Sequence, residues 1–263
     1  MNKLKSIRFL KGKCVGLIDL LNNVQGLQTL NAEPTFPPQY NKEKIIIHEG
    51  LKQLRHIIFY YSEINLLVDV RGVTDRMQNL QTLLQVHADS QMWFLFNNGY
   101  FANLRTLGLV ISNDDEVQLV ETNLRSLDRL SELPKLELTC GFGTRVSLGK
   151  IAFPSILSSI TLAGVFYFKY QDMNALGQIP GLQILKLVGV NCSKKILDCG
   201  SAGSFPQLQV FIMESVHVRH VILEDGAMPK LRRAVFHWCC GLKFNCLPER
   251  MLSLGCNLHF TEL

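Results

Sequence analysis

The chain has 263 residues, 47% of them apolar, with 27 Lys and Arg against 22 Asp and Glu and a formal net charge of +5. That apolar share supports a sizeable core, and the mild excess of base is dispersed, with nothing longer than pairs such as Lys194-Lys195 and Arg232-Arg233, which argues against nucleic acid as a partner. No apolar run approaches the roughly 18 residues needed to span a bilayer, and lysines at 3, 5, 11 and 13 break up the first segment, a poor match to a secretory signal.

One phrase recurs along the chain: an aliphatic residue, two others, an apolar residue, one other, and usually another apolar residue. It reads Leu4-x-x-Ile7-x-Phe9, Leu27-x-x-Leu30-x-Ala32, Leu54-x-x-Ile57-x-Phe59, Leu80-x-x-Leu83-x-Gln85 and Leu104-x-x-Leu107-x-Leu109. It continues as Leu133-x-x-Leu136-x-Leu138, Leu157-x-x-Ile160-x-Leu162, Leu182-x-x-Leu185-x-Leu187, Leu208-x-x-Phe211-x-Met213, Leu231-x-x-Ala234-x-Phe236 and Leu258-x-x-Thr261-x-Leu263. First positions are 23 to 29 residues apart, the period of a leucine-rich repeat. The expected fold is α/β: a leucine-rich-repeat solenoid of about 11 repeats, one domain over residues 1–263.

Residues two apart share a strand face, so the fourth and sixth positions point inward and the fifth outward. A single such strand cannot bury its apolar side. Stacked parallel strands can, each returning through loop or short helix, with the outward residues forming a concave sheet. Polar Gln85 in a sixth position and Thr261 in a fourth are expected weak points.

Between the phrases, Glu33-Pro-Thr-Phe-Pro-Pro38 reads as an irregular return loop, since proline blocks both helix and ladder. Met92-Trp-Phe-Leu-Phe-Asn-Asn-Gly-Tyr-Phe101 holds five aromatics in ten residues and reads as convex core, with a protruding contact loop as the alternative. Asp114-Asp115-Glu116 reads as the acidic first turn of a short helix running to Leu127.

Chemical motifs are missing. Gly143 to Ile151 spaces its glycines by five residues and lacks the Ser/Thr of a phosphate loop. His217-x-x-His220 has no evident third ligand. Cysteines at 14, 140, 192, 199, 239, 240, 246 and 256 form no Cys-x-x-Cys pair and read as reduced, mostly buried thiols. Cys239 falls three residues after Phe236, where this repeat type places a small residue that bonds the backbone. No cofactor, no metal and no enzymatic activity are expected.

The wording of the phrases carries a resemblance. Gly26-Leu-Gln-Thr-Leu30, Gln53-Leu-Arg-His-Ile57, Asn79-Leu-Gln-Thr-Leu83 and Asn103-Leu-Arg-Thr-Leu107 resemble repeats of plant intracellular nucleotide-binding leucine-rich-repeat disease-resistance proteins. The second half resembles them more specifically: Phe153-Pro-Ser-Ile-Leu-Ser-Ser-Ile-Thr-Leu162, then Met173 to Leu187, Gly203 to Val210, Glu224 to Arg233, Cys240-Gly-Leu-Lys243 and Leu247-Pro-Glu249. The resemblance implies a cytoplasmic sensor region, active in plant defense, that binds a pathogen effector, a host target or the receptor's own nucleotide-binding switch domain. Nothing in this sequence matches that switch domain or a coiled coil, which leaves a truncated receptor fragment and a leucine-rich-repeat substrate adaptor as alternatives. The "LxGxIP" phrase of extracellular plant repeats is absent, in keeping with an intracellular site.

The register also nominates a protein-binding face. Its outward positions are His56, Ile58, Tyr60, Leu84, Val86, Thr106 and Val110 in early repeats. In late repeats they are Ile184, Lys186, Val188, Val210, Ile212, Arg233, Val235 and His237. Aliphatic side chains on adjacent strands would form an apolar patch, and Tyr60, Arg233 and His237 are of the types that anchor interfaces.

Overall fold

The computed structural model describes residues 9–13, 26–33, 44–47, 51–59, 65–68, 76–111, 124–141, 144, 146–164, 166–239, 241–242, 249–253 and 257–259. It is an α/β chain dominated by parallel strands, with few helices. It divides into two compact units, residues 1–110 with 126–133, and residues 111–125 with 134–263.

The first unit contains β1 (Phe9–Lys13), β2 (Thr29–Glu33), β3 (Lys44–Ile47), β4 (His56–Phe59), β5 (Asn65–Val68), β6 (Thr82–His87) and β7 (Thr106–Ile111). The strands β1, β2, β4, β6 and β7 lie side by side and parallel. Their register aligns equivalent phrase positions: Leu30 faces Ile57, Ile57 faces Leu83, and Leu83 faces Leu107. Those residues are fully or almost fully buried, while His56, Ile58, Thr82 and Leu84 between them are half-buried.

The second unit contains β8 (Lys135–Cys140), β9 (Ser159–Ala163), β10 (Phe166–Phe168), β11 (Ile184–Val188), β12 (Asn191–Cys192), β13 (Ile196–Asp198), β14 (Val210–Glu214), β15 (His220–Ile222), β16 (Arg233–His237) and β17 (Asn257–His259). Its main parallel run is β8, β9, β11, β14, β16 and β17. Leu136, Ile160, Leu185, Phe211 and Ala234 form one buried row across it, and Leu138, Leu162, Leu187, Met213 and Phe236 the next.

A second ladder locks the entry to each strand. The carbonyls of Gln28, Arg55 and Gln81 each accept two N–H groups from the following repeat, as Gln28 does from Arg55 and His56 at 2.8 and 3.1 Å. Pro134, Ser158, Gln183 and Gln209 repeat the pattern in the second unit. Asparagine side chains reinforce it: Asn103 Nδ2 donates to the Gln78 carbonyl at 2.8 Å and Asn79 Nδ2 to that of Lys52 at 3.3 Å. The recurring asparagine before the first leucine therefore stitches one repeat to its predecessor.

The strand exits are equally regular in the second unit. The residue after each of four strands is left-handed: Gly164 (φ 67°), Gly189 (φ 58°), Ser215 (φ 54°) and Trp238 (φ 50°). The N–H groups of Gly164, Gly189 and Ser215 donate to the last carbonyl of the neighbouring strand, at Val188, Glu214 and His237. At Gly164 a side chain would also collide with the Cys140 carbonyl oxygen.

Three expectations need correction. In the first phrase, Leu10 pairs with Leu30 and so takes the fourth position, three residues beyond the Ile7 that the sequence places there. In the last, Leu258 pairs with Phe236 and so takes a sixth position, where the sequence reading made it a first. Return segments also carry strands as well as loops: β3 pairs with β5, β10 with β12, and β13 with β15, all parallel. Runs such as Ile45-Ile46-Ile47 and Leu66-Leu67-Val68 favour extended pairing.

Two helices sit on return segments. The first, α1 (Ser90–Asn97), covers most of the aromatic stretch Met92 to Phe101, and Asp89 caps it by accepting from the Met92 N–H at 2.8 Å. Trp93, Phe96 and Phe101 are buried edge to face, at 5.5 and 5.8 Å, as the core reading requires, whereas Phe94 is exposed. The second, α2 (Tyr170–Gly177), is held by buried Asp172. One carboxylate oxygen accepts from the Lys169 N–H at 2.9 Å and the other from the Leu148 N–H at 2.8 Å. A third helix, α3, covers Glu249–Ser253. The loop from Pro34 to Pro38 and the acidic group Asp114–Glu116 lie outside the described residues.

Candidate functional site

Each strand leaves one row of side chains on the face opposite the core. In the first unit His56, Thr82 and Thr106 align, with His56 Nδ1 and Thr82 Oγ1 hydrogen-bonded at 3.0 Å. Ile58 aligns with Leu84. All five are half-buried, as is Val110. Tyr60 lies outside the described residues.

Val86 is not on this face. The register between β6 and β7 shifts between Leu83 and Val86, because Gln85 adopts φ 58° and adds one residue to its strand. This β-bulge flips the alternation. Val86 takes the inward sixth position opposite Leu109 and is fully buried. Gln85 is therefore a bulge residue and not a polar intrusion into the core.

In the second unit the face can be read as three rows. Ile184, Val210 and Arg233 align, then Lys186, Ile212 and Val235, then Val188, Glu214 and His237. Ile184 and Arg233 are exposed, and Lys186, Val188, Val210, Ile212 and His237 are half-buried. Val235 departs from the expected exposure: it stands on the right row but is only 3% exposed, a short β-branched side chain with a strand on each side.

The register adds residues that the sequence reading passed over. Lys135, Glu137 and Thr139 of β8 and Ser159, Thr161 and Ala163 of β9 extend the same rows. Their signal was the same alternation, applied to two phrases left out of the nominated face. Charges here are paired: Lys135 Nζ lies 3.0 Å from Glu137 Oε1, and Lys186 Nζ lies 2.8 Å from Glu214 Oε2. The second pair runs diagonally between neighbouring strands. Arg233, by contrast, has no ion pair among the described residues.

Two surface clefts lie away from this face. One, of about 280 Å³, is lined by Arg55, Gln81, Asn103, Arg105 and Glu132, so cations and a carboxylate share it. The other, of about 360 Å³, lies by the start of α2 between Lys169, Tyr170, Lys194, Ile196 and Asp198. His217 and His220 are both exposed.

The described cysteines Cys140, Cys192, Cys199 and Cys239 are free and buried. Burial pushes the thiols of Cys140 and Cys192 up from 9.0 to about 12, with a smaller contribution at Cys192 from Cys239. Cys199 is raised further, by burial and then by Asp198 and Cys192. Such thiols are poor nucleophiles at neutral pH. Cys239 has the backbone role its position suggested, with Sγ 3.8 Å from the Met213 carbonyl oxygen and 3.5 Å from that of His237.

Among the described residues no helix is long and apolar enough to cross a membrane. No protein-family model and no curated protein matches the chain.

Proposed function

We propose that the chain is a leucine-rich-repeat protein-recognition module of about 11 repeats, without enzymatic activity. Its role would be that of the sensor region of plant nucleotide-binding leucine-rich-repeat resistance proteins, acting in the cytoplasm in defense. The partner would be a pathogen effector, a host target or a switch domain. The observation that carries this reading is the in-register stacking of equivalent phrase positions, which buries Leu185, Phe211 and Ala234 in one row and leaves Ile184, Val210 and Arg233 on the other face. A rigid sheet offering side chains at fixed spacing suits recognition of a protein surface. The wording of the repeats supports the family.

The test is partner binding by the double variant Ile184→Glu and Ile212→Glu. Both side chains sit on the outward face, one exposed and one half-buried, so the fold should survive. Loss of binding to a receptor switch domain or an effector supports the assignment, and unchanged binding by a folded variant rejects this face as the site.

A further inference from the structure

Trp238 stands at the exit of β16, in the left-handed position that Gly164, Gly189 and Ser215 occupy at the exits of β9, β11 and β14. The fold asks only for backbone there. Glycine meets the requirement without strain, whereas a bulky residue at positive φ is uncommon and strained. The indole is only partly buried, since it remains 52% exposed, with its ring 6.1 Å from that of His237. At the first residue of β16 Arg233 is exposed and lacks an ion pair among the described residues, while Glu214, opposite His237 at the other end of the strand, is paired with Lys186. An arginine without an ion pair among the described residues therefore opens this five-residue strand, and an exposed tryptophan follows its last residue.

We propose that the stretch from Arg233 to Trp238 is the anchoring subsite of the recognition surface, and that it takes an acidic protein segment carrying an apolar side chain. The proposal rests on the protein-recognition reading above. A carboxylate of the segment pairs with the Arg233 guanidinium, and an apolar side chain packs on the Trp238 indole. Arginine and tryptophan are the residue types that dominate interface energetics. The net basic charge of the chain steers an acidic partner toward it.

The chain has two tryptophans, and buried Trp93 is only 2% exposed, so acrylamide quenching reads Trp238. The probes are three synthetic peptides of equal length with two leucines each, made otherwise of Glu and Asp, of Gln, or of Lys. The acidic peptide should shield Trp238 from acrylamide and bind more weakly as salt rises. Arg233→Glu should weaken it by about tenfold or more, and Arg219→Glu, an exposed charge on a return segment, much less. Trp238→Ser, which copies the residue of the preceding repeat, should keep the blue Trp93 emission of a folded protein and lose binding of a dye-labelled acidic peptide.

Equal shielding by the acidic and Gln peptides would overturn the acidic assignment while leaving protein recognition standing. Equal loss in Arg219→Glu and Arg233→Glu would reduce the effect to overall charge and overturn the subsite. Concentration-dependent shielding without peptide would make a second copy of the chain the occupant, and absence of shielding by any peptide would reject the subsite. If instead Ile184→Glu with Ile212→Glu left partner binding intact, the recognition reading itself would fail independently of these results.

Discussion

The Gln85 amide nitrogen lies 3.1 Å from the point where a Cβ on Gly108 would stand. Leu84 Cδ2 and Cα crowd the same point, at 3.0 and 3.3 Å. The bulge on β6 thus presses its backbone onto β7, where a glycine opens the space. Gly108→Val is expected to cost about 1–3 kcal/mol through overpacking, and Gly108→Ala less. Urea unfolding of the two variants checks the order, and an unaffected Gly108→Val would mean that the bulge does not press on this strand.

The left-handed exits give a graded prediction. Gly164 and Gly189 share the same conformation, but a Cβ at Gly164 collides with the Cys140 carbonyl oxygen, whereas at Gly189 the nearest atom is 3.9 Å away. Gly189→Ala should cost about 1 kcal/mol, the backbone term alone. Gly164→Ala should cost clearly more, since a carbonyl must move. Thermal denaturation of both variants compares them directly, and equal costs would contradict the geometry.

Asp172 should be a keystone of its unit. Its carboxylate satisfies the Lys169 and Leu148 N–H groups in a buried setting. Asp172→Ala leaves both donors without this acceptor and should cost about 2–4 kcal/mol. Asp172→Asn keeps the shape and one acceptor oxygen, so it should cost less. Amide exchange at Leu148 and Lys169 should accelerate in Asp172→Ala before the rest of the unit responds.

The raised thiols set a pH window. Cys140 and Cys192 are neutral in the folded chain up to about pH 12 and in the unfolded chain only up to about 9.0. Folding therefore keeps their protons, and this contribution is fully present below pH 9.0 and lost as pH rises toward 12. Urea midpoints should fall across that interval, less steeply in Cys140→Ala with Cys192→Ala. Iodoacetamide at pH 8.5 should label these two cysteines only after unfolding, and rapid labelling of the native chain would contradict their burial.

The parts legible from sequence were those fixed by side-chain period. Within each unit between Leu27 and Phe236, the bulge at Gln85 apart, the repeated apolar spacing sets the strand register, because burying both inward positions allows only one alignment of neighbouring strands. At the ends that constraint weakened. The stretch Ile7 to Leu10 offers apolar residues in more than one frame, and the phrase at Leu258 has a polar threonine in its fourth position. The bulge at Gln85 was read as a polar defect, since a sequence shows the polar residue but not the extra backbone step that moves Val86 inward. Backbone features such as the left-handed Trp238 leave no periodic trace in residue type. Within the nominated face the row assignments of Ile184, Val210 and Arg233 were legible, and the burial of Val235 was not, because burial depends on what the neighbouring strands place around it.

The doubly accepting carbonyls at the strand entries make the second unit divisible at defined points. Removing residues 184–209 would join Gln183 to Val210, leaving the Ser158 carbonyl to receive the N–H groups of Gln183 and Val210 and the Gln183 carbonyl those of Arg232 and Arg233. Every strand-entry bond would find an equivalent partner, and Phe211 would take the place of Leu185 against Ile160. Length in this arrangement is thus a countable quantity, open to gain or loss by whole phrases, and unequal recombination between phrases would resize the outward face without redesigning its core.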